Sequence, residues 1–506
     1  MMDLKIRNFG PISSGKIDLK PLTILIGPNH SGKSYLAMLV NSIFKLQLNQ
    51  ANLAHNLARK YESATSDGKG NLSLNLIELR SLTDDIKNKK ITRLPDKIIE
   101  GLYELIFDYI YNLDLKEKLS RSFGSPLSEL TQIGKDGFEI EINSDSVQVS
   151  ILSRRNNIRV LNKTKLNVSF QIYNDESSIA AARFSKVEED GRKLYTLVYN
   201  ESMMKSNTEP MSKQIRFNYL FYAIIFVLAN ELKDNFSSAS CYYLPAARSN
   251  LVQGYKPLLS NMAKDLQLST INPSNKIEIP SFSGVVIDFI STMNDFKIEK
   301  GHFDALIKQM EKDLIHGEIV TEDLEKSANR QIYYKYQGHN IPLHRASSAI
   351  SELAPVILYI KYILKTGDVL IIEEPEAHLH PENQRILAKF LARLIRKGVF
   401  LIITTHSDYL LKQINTFILL SKISPEKRVK RYKYAKNDYI NPEEVAAYSF
   451  TQDKKIGYKI ENVEINGEDG ISQKEFIKIY KLLYDESVKL QRDLNELKEN
   501  GSIHDD

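Results

Sequence analysis

The chain has no tryptophan and only one cysteine, Cys241, in 506 residues. A single cysteine excludes an intrachain disulfide, and a reducing interior is the natural compartment for such a chain. No apolar run reaches the ~18 residues that a membrane-crossing helix needs. The longest candidate, Tyr219 to Leu228, is short and reads as buried helix. The opening MMDLKIRNFG has a strand pattern without an apolar signal core. A cytoplasmic protein without membrane contact is the expectation. A strong charge of one sign is missing too: 68 Lys and Arg stand against 63 Asp and Glu, a net +5. That excess neither demands nor excludes nucleic acid. Internal repeats and long low-complexity tracts are also absent. What remains is an ordinary globular composition, 42% hydrophobic and 26% charged, with length for two to four domain-sized units.

Residues 3 to 9 alternate as a strand, and Leu22 to Ile26 form an apolar one. A helix follows from Lys33, with Leu36, Leu39, Val40 and Ile43 on one face. Residues 61 to 73 are polar and read as a loop, and 96 to 113 have helical spacing after Pro95. From 137 to 200, the runs FEIEI, VQVSIL, VSFQI and LYTLVY predict antiparallel strands or hairpins. Helical character returns at 216 to 232, and CYYLP, 241 to 245, predicts a buried strand. Residues 256 to 315 read as mostly helical, broken by a loop around Pro273 and Pro280, and 331 to 337 as a strand. The best-patterned segment, 347 to 415, runs helix, strand (368 to 373), helix (382 to 397), strand (399 to 404), helix. Such alternation predicts a parallel sheet covered by helices, an α/β fold.

Four motifs carry chemistry. Gly27-Pro28-Asn29-His30-Ser31-Gly32-Lys33-Ser34 fits G-x-x-x-x-G-K-[ST] and lies between a strand and a helix, as the motif requires. Glycines let such a loop curl so that its N–H groups face phosphate oxygens, and the helix N-terminus adds partial positive charge. Gly27, Asn29, Ser31, Gly32, Lys33 and Ser34 are therefore the candidate ATP-binding set. Lys33 is expected at the β- and γ-phosphates and Ser34 on Mg²⁺. In Val369-Leu370-Ile371-Ile372-Glu373-Glu374-Pro375-Glu376, an apolar strand ends in acids. Glu373 is assigned to the metal, and Glu374 to orienting and deprotonating the attacking water. In Thr404-Thr405-His406-Ser407, at the end of the next strand, His406 is the candidate γ-phosphate sensor. In Ala346-Ser347-Ser348-Ala349-Ile350-Ser351-Glu352, the serines open a helix. They can cap it, or offer hydroxyls and N–H groups to a phosphate supplied from outside.

In this order the four motifs resemble the ABC-type ATPases of the SMC, RecF and OLD group, in which a long insertion separates the P-loop from the acidic strand. The opening IRNFGPI is similar to that group's first strand. Glu373 to Pro381, EEPEAHLHP, and Tyr243 to Ser249, YLPAARS, resemble its OLD-like and RecF-like branch. The resemblance covers about 1 to 45 and 240 to 420. It implies an ATPase head with a mixed sheet, interrupted by a helical and antiparallel β insertion and followed by a C-terminal helix. The implied divisions are 1–47 and 236–420 for the head, 48–235 for the insertion, and 421–506 for an extension with a basic strand and a heptad-like helix. It implies two copies facing head to tail around two ATPs with Mg²⁺. Ser347, Ser348 and Glu352 of one copy would touch the γ-phosphate held by Lys33 of the other. The chain departs from the group in having Glu373 where the metal acid is usually Asp, Ala349 where the signature usually has glycine, and His30 at a variable position.

His378 and His380 lack an evident third ligand, so no transition-metal site is expected there. Residues 427 to 436, KRVKRYKYAK, could touch phosphate and stack bases, or form an edge strand blunted by lysines. Ser472 and Glu475 form a capping box. Phe476, Tyr480, Leu483, Ser487, Leu490, Leu494 and Leu497 then follow at spacings of four and three, a coiled-coil-like seam. It could dock on its own head, on a second copy or on another protein. The ~90 residues after His406 hold no D-x-D pair of the kind a Toprim nuclease needs, so the chain is not expected to be a nuclease itself. It resembles the stand-alone ATPases of Septu-like and PARIS-like systems. The leading expectation is an ATP-driven switch for a separate nuclease or toxin in antiphage defence. The alternatives are a RecF-like ATPase that binds DNA directly and a nucleotide-binding scaffold with little turnover.

Overall fold

Every residue of Leu22–Ile26 is buried, which requires neighbouring strands on both edges and cover on both faces. The computed structural model provides both. It describes residues 2–45, 91–108, 115–144, 148–154, 157–162, 168–174, 182–189, 192–199, 221–229, 231, 239–254, 282–299, 301–323, 330–453 and 456–499. The polar stretch 61 to 73, residues 109 to 113, the loop around Pro273 and Pro280, and Asp505 and Asp506 lie outside the described residues.

Leu22–Ile26 is the fourth strand of an eleven-stranded sheet. Five strands are parallel, in the order Cys241–Leu244, Val369–Glu373, Phe400–Thr405, Leu22–Ile26 and Val445–Gln452. Tyr458–Asn462 pairs antiparallel with the last of these and parallel with Ile12–Asp18, joining the two halves. The remaining strands are antiparallel. Ile12–Asp18 pairs with Met2–Phe9, which pairs with Glu139–Ser144, then Gln148–Arg154, then Asn157–Asn162.

Alternate residues of the parallel strands feed two cores. Leu25, Ile371, Tyr448 and Phe450 pack with Leu36, Val40 and Ile43 of the helix Lys33–Phe44. Ile24, Ile372, Ile403 and Ala447 pack on the other face with three helices, Ser348–Leu358, Pro381–Arg396 and Asp408–Ser421. This is the α/β arrangement that the alternation predicts, with the mixed sheet that the resemblance implies.

Several details differ from the reading of the sequence. Glu139–Asn162, placed in the insertion, continues the same sheet as the P-loop strand through Met2–Phe9. A second, four-stranded sheet orders Ile91–Arg93, Val168–Asn174, Arg192–Tyr199 and Ala182–Glu189. In it Val168–Asn174 and Arg192–Tyr199 run parallel, not antiparallel, because Ala182–Glu189 forms a hairpin with Arg192–Tyr199 on the outer edge. Val445–Gln452, placed in an extension, is a central strand of the parallel half.

The basic segment 427 to 436 is not a strand. Pro425–Lys430 is a short helix, and the buried Arg428 donates to the carbonyls of Leu420, Ser421 and Lys436. One cation of the segment that could have touched phosphate is therefore a structural clasp. The C-terminal helix, Lys474–Glu499, is formed as expected, but its seam is largely uncovered. Leu483, Leu490, Leu494 and Leu497 are exposed. Near its start, the Tyr480 hydroxyl donates to Asp408 at 2.6 Å, and Phe476 packs against the core. No described helix is long and apolar enough to cross a membrane.

Phe450 closes the core beneath the P-loop: a Cβ on Gly27 would come within 2.8 Å of the Phe450 Cβ. Phe450 is fully buried, so Phe450→Ala is expected to destabilise the chain by ~3–5 kcal/mol. Denaturant unfolding of the two chains measures this, and a loss below about 1 kcal/mol would contradict the packing.

Candidate functional site

The parallel strands bring their C-terminal ends to one edge. Across it Glu373 aligns with Thr404, and Thr404 with Leu25, while Thr405 aligns with Ile26. The P-loop, the acidic turn and the histidine turn therefore emerge side by side from three adjacent strands, as expected of a parallel sheet.

The P-loop needs backbone conformations that glycine supplies. Gly27 has φ 153° and Gly32 φ 101°, and a Cβ on Gly32 would lie 2.9 Å from Ile12 Cγ1. Lys33, the first helical residue, is buried, and its ammonium donates to the carbonyls of Gly27 (3.0 Å) and Pro28 (2.8 Å). Burial lowers its pKa, and Glu374, Glu373 and Glu376 oppose that shift. The Ser31 hydroxyl is buried with no hydrogen-bond partner. Asn29 and Ser34 are exposed.

The acidic turn separates two neighbouring carboxylates. Glu373 ends its strand buried, and Oε2 accepts from the Ala246 N–H at 3.2 Å. Its Oε1 is buried without a hydrogen-bond partner. Glu374 then takes a left-handed φ of 43°, an unusual conformation for a non-glycine residue. Its N–H is held by the Thr404 carbonyl (3.0 Å) and hydroxyl (3.1 Å). The turn sends the Glu374 carboxylate outward, where Oε1 lies 3.6 Å from His406 Nε2. Burial lowers the pKa of His406, and the charge of Lys33 lowers it further, while Glu374 raises it.

Three participants were not singled out from the sequence. Glu376 Oε1 accepts from the Thr405 hydroxyl (2.5 Å) and the His406 N–H (3.0 Å), which holds the histidine turn on the acidic turn. Burial raises its pKa. Arg248 is fully buried. Its guanidinium donates to the carbonyls of Glu352 (3.0 Å), Glu373 (2.8 Å), Glu374 (3.2 Å) and Pro245 (3.3 Å). Arg248 also pairs with the Glu352 carboxylate at 3.3 Å, and Ser249 donates to the same carboxylate. The YLPAARS run contains both residues, but nothing in the sequence says that an arginine binds four carbonyls.

That clasp corrects one assignment. Glu352 is buried against Arg248 and Ser249 of its own chain, so its carboxylate does not face a neighbouring subunit. Ser347 and Ser348 are exposed at the start of Ser348–Leu358, where Ser347 caps the helix by accepting from the Ile350 N–H at 3.4 Å. His380 accepts from the Glu382 N–H and caps Pro381–Arg396. His378 turns the chain with φ 61°.

Among the described residues no group of three or more His, Cys, Asp or Glu side chains could hold a metal ion by itself, so a divalent cation here would rest on one or two protein oxygens together with phosphate oxygens, as Mg²⁺ commonly does. Four carboxylates, Glu352, Glu373, Glu374 and Glu376, act on Arg248, and the last three also act on Lys33. Glu373 Oε1 and Glu376 Oε2, both buried without hydrogen-bond partners, are hard oxygen donors of the kind Mg²⁺ takes.

A family model described as an AAA ATPase domain matches residues 1–411. Among solved structures, the chain is similar to an Smc head bound to the C-terminal winged-helix domain of ScpA, at 12% identity and TM-score 0.34, covering 91% of this chain and 97% of that one. It is similar to an SMC head domain from Thermotoga maritima at 12% identity and TM-score 0.32, covering 92% and 98%. A third is the Smc head with an extended coiled coil bound to the C-terminal domain of ScpA, derived from Pyrococcus furiosus, at 12% identity and TM-score 0.34, covering 96% and 100%. No curated protein matches the chain.

The His406 environment has a measurable consequence. Burial and Lys33 both disfavour the imidazolium, so His406 should titrate below the ordinary ~6.5 and be neutral at pH 7. NMR of the ring protons checks this in the nucleotide-free chain. Lys33→Met should raise the midpoint and Glu374→Gln should lower it; the opposite signs would contradict the assigned charges.

Proposed function

We propose, for a chain that belongs to the AAA ATPase domain family, that it binds ATP with Mg²⁺ at Gly27–Ser34 and hydrolyses it. The observation that carries this reading is the convergence of Lys33, Glu373, Glu374 and His406 at one sheet edge, with Glu374 3.6 Å from His406. Lys33 and the loop N–H groups hold the β- and γ-phosphates, with Asn29, Ser31 and Gly32 shaping the cradle. When held by Ser34 and Glu373, Mg²⁺ supplies positive charge that offsets the phosphate oxygens.

Glu374 takes a proton from the attacking water. The water oxygen bonds to the γ-phosphorus, the bond from that phosphorus to the bridging oxygen breaks, and ADP and phosphate leave. Neutral His406 holds the water against the γ-phosphate. Arg248 and Glu376 position the acidic and histidine turns without touching the substrate.

In the fuller reading, two copies close around two nucleotides. Ser347 and Ser348 of each face the γ-phosphate held by the other, which their exposure supports. Closure then switches a separate nuclease or toxin in defence against phage or foreign DNA. The likeness of Glu373 to Pro381 and Tyr243 to Ser249 to the OLD-like branch supports this finer step. The exposed Lys427, Lys430, Arg431, Tyr432 and Lys433 favour a second reading, direct DNA contact.

Glu374→Gln should lower ATP turnover by ~10²–10⁴-fold while retaining ATP, and should accumulate a nucleotide-bound dimer visible by light scattering. Unchanged turnover would remove Glu374 from catalysis and favour a scaffold. Co-expression with the neighbouring reading frames checks the switch: a neighbour should co-purify and respond to ATP. If none does, and the chain alone binds DNA in a salt-sensitive, ATP-promoted manner, the second reading replaces it.

A further inference from the structure

One short segment lies against Glu373 along its whole length. The strand Cys241–Leu244 runs parallel to Val369–Glu373, with Tyr243 beside Ile371 and Leu244 beside Ile372. Side chains alternate across a sheet, so Tyr243, Ile371 and Glu373 belong to one face. Tyr243 and Ile371 accordingly share a core. Beyond the strand, Ala246 donates its N–H to Glu373 Oε2 at 3.2 Å, and Arg248 donates to the Glu373 carbonyl at 2.8 Å.

Two polar atoms on this face are buried without a formed hydrogen bond, the Tyr243 hydroxyl and Glu373 Oε1. Burying such groups costs free energy unless each finds a partner. Each is what the other lacks, a donor beside an acceptor. Burial first, and then the charge and hydrogen bonding of Glu373, raise the Tyr243 pKa well above the usual phenol value. The hydroxyl is therefore a neutral donor throughout the physiological pH range, not a base.

We propose that Tyr243 is a positioning residue for the metal-binding carboxylate: its hydroxyl donates to Glu373 Oε1, as the Ala246 N–H does to Oε2, and fixes the carboxylate plane for Mg²⁺. The inference rests on the reading that Glu373 holds Mg²⁺. A carboxylate oxygen has two lone pairs, so these two ties leave one on each oxygen for the cation or its waters. Without the phenol, the terminal torsion of Glu373 is free over a broad range. Partners of this kind behind a metal ligand typically change metal affinity by ~10–100-fold.

ATP binding to the full chain, followed by calorimetry over a range of Mg²⁺ concentrations and in EDTA, reads this without turnover. Tyr243→Phe keeps the ring in the core and should fold, which circular dichroism checks. It should raise the Mg²⁺ concentration at half-effect by ~10-fold and leave ATP affinity in EDTA unchanged. Added to Glu373→Ala, it should have no further effect on the Mg²⁺ dependence, because the two act as one unit. A tyrosine that only fills the core would change stability and leave the Mg²⁺ dependence where it is. The proposal fails if Tyr243→Phe folds and does not shift the Mg²⁺ midpoint, or shifts it equally in the Glu373→Ala background. Failure of the underlying reading is distinct, since Glu373→Ala by itself would then leave the Mg²⁺ dependence unchanged.

Discussion

Three parallel strands drawn from distant parts of the chain lie in register, with Glu373 beside Thr404 and Thr404 beside Leu25. That alignment fixes where the three turns of the candidate site begin. A shift of one residue in Val369–Glu373 would move its side chains to the opposite face of the sheet. Glu373 would lose the Ala246 N–H, and the hydrophobic residues feeding the two cores would exchange. Both faces of this strand are apolar, with Ile371 in one core and Ile372 in the other, so the polar ties at its end, Ala246 N–H to the Glu373 carboxylate and Arg248 to the Glu373 carbonyl, distinguish this register from a slipped one.

Strand register alone leaves the turns that follow free to differ. Arg248 removes much of that freedom by donating to carbonyls of Pro245, Glu352, Glu373 and Glu374. A buried cation left unpaired would be costly, and a substitution that removed it would take one donor from each of four carbonyls. Glu376 does the corresponding work between the acidic and histidine turns through Thr405 and the His406 N–H. Glu374 itself sits at positive φ, a strained conformation that persists only where the surroundings impose it. Here the Thr404 carbonyl and hydroxyl impose it. The result separates two adjacent glutamates, one buried and facing inward, one outward and beside His406.

The remaining features connect this edge to the rest of the molecule. Phe450, from a strand more than four hundred residues after the P-loop, supports Gly27 from below. The helix Asp408–Ser421 begins directly after His406 and Ser407, and Asp408 on its first turn receives the Tyr480 hydroxyl of the C-terminal helix. The exposed leucine row of that helix thus starts on the element that also carries the histidine turn.

The sequence alone determined the local elements and the chemistry-bearing residues. Apolar runs such as Leu22–Ile26 and Val369–Glu373, followed by glycines or acids, are legible because strand burial and loop conformation depend on near neighbours. It also made the α/β alternation of 347 to 415 plain. Tertiary structure decided everything that depends on pairing across long separations. It decided that Glu139–Asn162 and Val445–Gln452 join the P-loop's own sheet, and that Glu352 is clasped by Arg248 instead of facing outward. It decided that Arg428, one cation in a basic run, is a buried clasp. A side chain's type says what it can bond to, but which strand edge, carbonyl or carboxylate lies within reach is set only when distant segments pack.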